Sequence, residues 1–266
     1  MTNNFFNLQK KPHALIVKQC QLSNFALFIK QFMKSIVCIN RGCGICLWCR
    51  KIEQEQYYDL ITFDAKVSLK KDDIIDVQNK FIKSGLEEKN IKFLVIRNID
   101  FANKQVLNCL LKFIERQNPS VYIIFSTFNY ANILPTIKSR CATITITKND
   151  GEINSFLNKT KLSRQEKKTI INCFNDFNDL KNMVSKFVEF NDLINEMLLK
   201  NNIVIFLKSL KIFKLLTYDE INLFLEIFKQ KVDNEIKMKI VDYQEKLFLN
   251  PNKSLLFDNL IGLIKK

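Results

Sequence analysis

Five short β-prone runs within the first 147 residues, most of them apolar at nearly every position, limit the fold more than any other feature. They are Ala14-Leu15-Ile16-Val17, Tyr58 to Phe63, Lys92 to Ile96, Val121 to Ser126 and Ala142 to Ile146. A strand with one wet face alternates apolar and polar residues, so near-continuous runs call for cover on both faces. The segments between them read as helices. Phe25 to Ile29 is one. Asp72 and Asp73 open another, with Ile74, Val77 and Phe81 on one face and a stop at Ser84-Gly85. Gln105 to Glu115 carries Val106, Leu110 and Phe113 together. Strands alternating with helices predict a five-stranded parallel sheet covered on both sides.

The β signals stop at Asp150-Gly151, and the rest of the chain is helical in pattern. Ser163-x-x-Glu166 and Thr217-x-x-Glu220 have the form of capping boxes. Phe187, Phe190, Leu193, Ile194, Met197 and Leu198 form an apolar stripe at helical spacing, as do Ile221, Phe224, Leu225 and Phe228. Such stripes build bundle cores, and no cofactor is read from them. At 266 residues, two or three domains are expected.

Four of the eight cysteines lie in the pattern Cys38-x4-Cys43-x2-Cys46-x2-Cys49. Tetrahedral zinc needs soft ligands gathered by tight turns, and C-x2-C spacing supplies them. Gly42 and Gly44 flank Cys43, where such a turn needs positive φ or a close backbone approach. Ordinary buried thiols and a disulfide are the alternatives. Arg41, Arg50 and Lys51 around the cluster argue against simple burial. Four cysteines leave no open coordination position, so the expected zinc is structural. Cys20, Cys109, Cys141 and Cys173 are scattered, as in a reducing cytoplasm.

The formal net charge of +14 invites a nucleic-acid reading, because lysines that neutralise phosphates release counterions. The lysines run along the whole chain, however, among abundant Asn, Ile and Phe, as an AT-rich coding sequence would give. No stretch is long and apolar enough for a membrane span. The opening Met-Thr-Asn-Asn-Phe-Phe-Asn lacks signal-peptide order, so export is not expected and a cytoplasmic location is.

A nucleotide-binding fold would put its phosphate loop after the first strand. Here that stretch is Lys18-Gln19-Cys20-Gln21-Leu22-Ser23-Asn24, without glycine and without a terminal Lys-Ser or Lys-Thr pair. The third run ends in Arg97-Asn98-Ile99-Asp100, one carboxylate where metal-assisted hydrolysis wants two. Asp100 is expected to cap the next helix. His13, the single histidine, has no evident nucleophile or acid partner and reads as structural.

Asn108-Cys109-Leu110-Leu111-Lys112-Phe113-Ile114-Glu115 resembles the Asn-x-Leu-Leu-Lys-x-Leu-Glu-Glu segment of bacterial clamp-loader subunits. Ile133 to Cys141 resembles their Leu-Pro-Thr-Ile-x-Ser-Arg-Cys motif. The cysteine cluster falls where those subunits carry a zinc module, and His13-Ala14-Leu15 matches their start. The likeness covers about residues 8 to 147. Arg116 and Gln117 replace the family's second Glu and following Pro, and Cys38 stands closer to Cys43 than in some relatives.

Loss of the phosphate loop resembles the delta-prime branch of the DNA polymerase III clamp loader. That resemblance implies an AAA+-type α/β core over 1–148 with its zinc module at 38–49, a small helical lid over 149–187 and a helical collar over 188–266. It implies a non-enzymatic stator in a hetero-pentamer with gamma or tau motor subunits and delta. That assembly loads the sliding clamp at primed DNA. Structural Zn2+ is expected, and ATP is not. It also implies a role for Arg140, within Ser139-Arg140-Cys141, as a finger lent to the neighbouring ATP site, where a fixed forked cation suits a γ-phosphoryl group. The plainer reading of Arg140 is a cation at the end of the short helix begun at Pro135. A stand-alone zinc-containing nucleic-acid-binding protein is the competing function, with Trp48 beside Arg50 its one aromatic hint.

Overall fold

The computed structural model describes residues 5, 6, 8, 10–67, 69–116, 118–200, 211–213, 215–247 and 253–264. Gln117 and parts of the expected collar lie outside that set. The chain divides into two compact units, Met1–Asn149 and Asp150–Lys266.

In the first unit, strands β1 (Ala14–Gln19), β2 (Leu60–Asp64), β3 (Lys92–Arg97), β4 (Val121–Thr127) and β5 (Ala142–Ile146) form one parallel sheet. Its order is β2-β3-β4-β1-β5. Helices α1 (Phe25–Val37), α2 (Leu47–Glu53), α3 (Lys71–Ile82), α4 (Lys104–Glu115) and the short α5 (Pro135–Lys138) cover it.

The period-two pleat decides which helix meets which residue. Ala14, Ile16, Leu94, Ile96, Ile123 and Phe125 pack on one face against Ile74, Val77 and Phe81 of α3 and Val106, Leu110 and Phe113 of α4. Leu15, Val17, Phe93, Val95 and Ile124 face the other way, onto Phe25, Phe28, Ile29, Phe32 and Met33 of α1 and Ile52 of α2. Burial on both faces is why β1, β3 and β4 are nearly all apolar. The cysteine segment therefore leaves α1 on one side of the sheet, while α4 and α5 lie on the opposite side.

The second unit is helical throughout its described residues. It comprises α6 (Asp150–Asn158), α7 (Arg164–Cys173), α8 (Phe177–Lys200), α9 (Tyr218–Lys229), α10 (Asn234–Leu247) and α11 (Lys253–Ile264). Both capping boxes form: Ser163 and Glu166 at the start of α7, Thr217 and Glu220 at the start of α9. Phe187, Phe190, Ile194 and Met197 of α8 are buried, and Phe190 meets Phe224 of α9 edge-on at 5.7 Å. Phe213 stands 5.5 Å from Phe224 and 5.1 Å from Phe257 of α11. The boundary expected at 187/188 falls inside α8, one uninterrupted helix. An apolar stripe at helical spacing runs straight through it, and no glycine or proline breaks the turn there.

Candidate metal centre and arginine site

The knuckle begins where α1 ends. Cys38 follows α1 in extended backbone, and its amide still donates to Lys34 O at 3.0 Å. Arg41, Gly42 and Gly44 then take positive φ values of 52°, 112° and 80°, curling the chain round Cys43. Cys46 starts α2 as its N-cap, and its sulfur accepts from the Cys49 amide at 3.5 Å. The Cys43 amide likewise donates to Cys38 Sγ at 3.5 Å.

Four ligand sulfurs result, all within 4.8 Å of one another. Cys38 Sγ is 3.6 Å from Cys43 Sγ and 3.7 Å from Cys46 Sγ. A disulfide would need about 2.05 Å. A tetrahedron of sulfurs about 2.3 Å from a central zinc has edges of about 3.8 Å. The donor set and its spacing fit a tetrahedral ion. Burial alone would raise the Cys38 thiol, but bonds from the Cys43 and Gly42 amides and the Cys43 and Cys46 thiols outweigh it, to about 6. Cys49, fully buried, is pushed up to about 12 by its burial and by the thiols of Cys46 and Cys38.

Helix α2 is fastened to the sheet by groups that sequence reasoning did not pick out. Lys51 Nζ meets the buried Glu87 carboxylate at 2.7 Å, and Glu87 also accepts the Tyr58 amide at 3.1 Å. Asp59, buried at the foot of β2, accepts the amides of Leu86 and Glu87 at 3.0 and 2.8 Å. Of these groups, Lys51 alone carries a signal in the sequence, as a cation near the cysteines. Trp48 packs onto the α1 side of the core, with Lys51 Nζ 5.3 Å from its ring centre.

The connection after β1 closes on itself. The Cys20 amide donates to Ile146 O at 3.1 Å, and Ser23 N to Cys20 O at 3.0 Å. Leu22 takes φ 57° and turns a buried side chain inward. Asn24 Oδ1 accepts from the Leu27 amide at 2.9 Å, capping α1. At the end of β3, Asp100 does not cap α4. Asn98 turns left-handed at φ 53°, the chain makes a 3-10 turn over Ile99–Phe101, and Asn103 becomes the cap, its Oδ1 accepting from Val106 N at 2.9 Å. Asn98 instead donates its carboxamide to both oxygens of Asp64, at 2.9 and 3.1 Å. Among the described residues, His13 takes part only through its carbonyl, which accepts from Ile123 N at 2.7 Å.

Arg140 sits just past α5 with its side chain 41% exposed. Its Nε donates to Glu115 Oε1 at 2.8 Å, and its Nη1 to Thr136 O at 3.1 Å and Ser139 Oγ at 3.3 Å. The bond to Thr136 O is the helix-end contact of the plainer reading. Glu115 ends α4, so the two segments quoted for the family resemblance touch through this pair. Cys141, half-buried beside it, is raised by burial to about 12.

A family model described as DNA polymerase III, delta subunit, matches residues 2–150 of the 266. The chain belongs to this family. Within it, the DNA polymerase III subunit delta' of Bacillus subtilis (strain 168) is 34% identical over 115 residues, covering 42% of this chain and 35% of that protein. The delta' subunit of Haemophilus influenzae (strain ATCC 51907 / DSM 11121 / KW20 / Rd) is 23% identical over 135 residues, covering 48% of this chain and 41% of its own length. The matched stretches thus span less than half of either relative. A DNA polymerase III gamma subunit-related protein from Thermotoga maritima superposes with a TM-score of 0.64 at 14% identity, over 99% of this chain and 97% of that one. That likeness is one of fold. The expected five-stranded parallel α/β core followed by helices is the fold found. No helix among the described residues is long and apolar enough to cross a membrane.

Proposed function

We propose that this chain is a delta-prime-type, non-catalytic stator of the replicative clamp loader. It assembles with gamma or tau motor subunits and delta in a hetero-pentamer that seats the sliding clamp on primed DNA in the cytoplasm. The single observation that carries the reading is the self-closed β1–α1 connection. The Cys20 and Ser23 amides are bonded to the Ile146 and Cys20 carbonyls, the Leu27 amide at the helix start is capped by Asn24, and Leu22 is buried. Amides already bonded internally are not free to cradle phosphates, so the chain has no nucleotide of its own to turn over.

Its contribution to hydrolysis is then Arg140, with Ser139 and Cys141 as its motif neighbours. In the adjacent subunit water attacks the γ-phosphorus and the bond to ADP breaks, while the guanidinium stabilises charge on the equatorial oxygens. Cys38, Cys43, Cys46 and Cys49 hold a structural zinc that fixes the knuckle and the start of α2. The helical unit supplies lid, over 149–187, and then collar, over 188–266, with continuous α8 contributing to both.

The test uses a reconstituted loader in which only the adjacent motor site is competent. Arg140→Ala should leave assembly intact and lower DNA-stimulated hydrolysis at that site by about 10³-fold. Undiminished hydrolysis would remove the finger role. Titration of the isolated chain with ATP and magnesium should give no binding, and a stoichiometric complex would refute the stator reading.

A further inference from the structure

The guanidinium of Arg140 is held at two of its three nitrogens before any partner arrives. Nε is bonded to Glu115, and Nη1 to the Thr136 carbonyl and the Ser139 hydroxyl. Nη2, with two N–H bonds, has no partner among the described residues. An arginine side chain has many rotamers, and an exposed one samples most of them. Here α4 and α5 are both anchored on the same sheet face through Leu110, Phe113 and Ile137, so the carboxylate and the carbonyl that grip the guanidinium share one rigid base.

We propose that Glu115 is a positioning residue for Arg140. It fixes the plane of the guanidinium so that the Nη2 edge is presented to a phosphoryl oxygen of the neighbouring subunit's nucleotide. The inference rests on the finger reading above and adds to it the group that aims the finger. A tethered cation enters the transition state already oriented, and small misplacements of such a group weigh heavily on rate. Because Glu115 bonds to Nε alone, the Nη2 donors stay available for the phosphoryl group. The Glu115 side chain is 52% exposed at the end of its helix, so truncating it leaves the apolar core of the unit untouched.

The experiment is steady-state ATP hydrolysis by the reconstituted loader with only the adjacent motor site competent, for wild type, Arg140→Ala, Glu115→Ala, Glu115→Gln and Ser139→Ala. Glu115→Ala should lower kcat about tenfold with KM for ATP unchanged, because the tether acts on orientation in the transition state. Glu115→Gln keeps an oxygen for the Nε–H and should recover most of that loss. Ser139→Ala removes a lesser tether and should lower kcat about threefold. If Arg140→Ala itself is harmless, the finger reading fails and this inference falls with it. If Arg140→Ala collapses kcat while Glu115→Ala behaves as wild type, the positioning role alone is overturned. Glu115→Gln as poor as Glu115→Ala would also overturn the tether. Should Glu115→Ala fail to assemble, Ser139→Ala decides: wild-type kcat there refutes preorganisation of Arg140.

Discussion

Gly85 offers the sharpest test of how the knuckle helix is joined to the sheet. A Cβ at this position would stand 2.7 Å from Asp59 Oδ2, 2.9 Å from Asn90 Oδ1 and 3.1 Å from Asn90 Cα. Favourable carbon contacts begin near 3.5 Å, so something must move. Neither obstacle is free to do so. Asp59 is buried and holds the Leu86 and Glu87 amides, while Asn90 Oδ1 accepts the Gly85 amide at 2.7 Å. A hydrogen bond to a charged group contributes about 1.5–3 kcal/mol. Gly85→Ala should therefore lose one such bond and strain a second, a destabilisation of about 2–3 kcal/mol. Trp48, the single tryptophan, lies in α2 and reports on this unit alone. Urea unfolding followed by its fluorescence, with a slope of about 2 kcal/mol per molar, should show the midpoint fall by roughly 1 M. Asp59→Asn should shift it in the same direction, and the double variant should lose less than the sum because both act on the same bonds. A Gly85→Ala midpoint within about 0.2 M of wild type would refute the reasoning.

Elemental analysis of the purified chain should find one zinc per molecule, and X-ray absorption should find four sulfurs at about 2.3 Å. Cys46→Ser should lose the metal and lower the Trp48 midpoint, because the serine hydroxyl can still cap α2 but cannot replace the thiolate that ties the knuckle to it. A metal-free chain purified from zinc-replete medium would overturn the site. In the helical unit, the Glu166 carboxyl is held below its ordinary value of about 4.5 by hydrogen bonds from the Ser163 side chain and amide. A lowered folded-state pKa stabilises the protein above the unfolded value, and the effect fades as pH drops below it. Ser163→Ala should cost about 1 kcal/mol at neutral pH and less below pH 4, read by circular dichroism melts across that range. A loss that does not vary with pH would exclude the capping box as its source.

Long apolar runs and the cysteine spacing were legible because each satisfies a local rule. β1, β3 and β4 announce burial on both faces, and Cys38 to Cys49 announce a shared centre, with Gly42 and Gly44 marking the turn. The cap of α4, not its start, departs from the expectation, because two cap candidates, Asp100 and Asn103, stand three residues apart. The left-handed turn at Asn98 that selects the second is not signalled by residue type alone. Asp59 and Glu87, and the bond that Lys51 makes to Glu87, escape the sequence for another reason. Their bonds join residues 27 to 36 positions apart, and no periodicity reports on a contact of that kind. Glu115 was read as part of a motif string, and only the approach of α4 to α5 revealed its hold on Arg140. Likewise nothing in the 149–266 pattern separated lid from collar, since the stripe of α8 runs unbroken through the expected boundary.

The inward turn of Leu22 has an engineering consequence. Grafting a glycine-rich loop over residues 20–24 would strip a buried leucine from the core, costing about 2–3 kcal/mol. It would also remove the Asn24 cap, for about 1 kcal/mol more. The graft would weaken the very strand and helix meant to support a triphosphate. A triphosphate site could be built on such a scaffold only after the strand and helix beneath it had been given new footings.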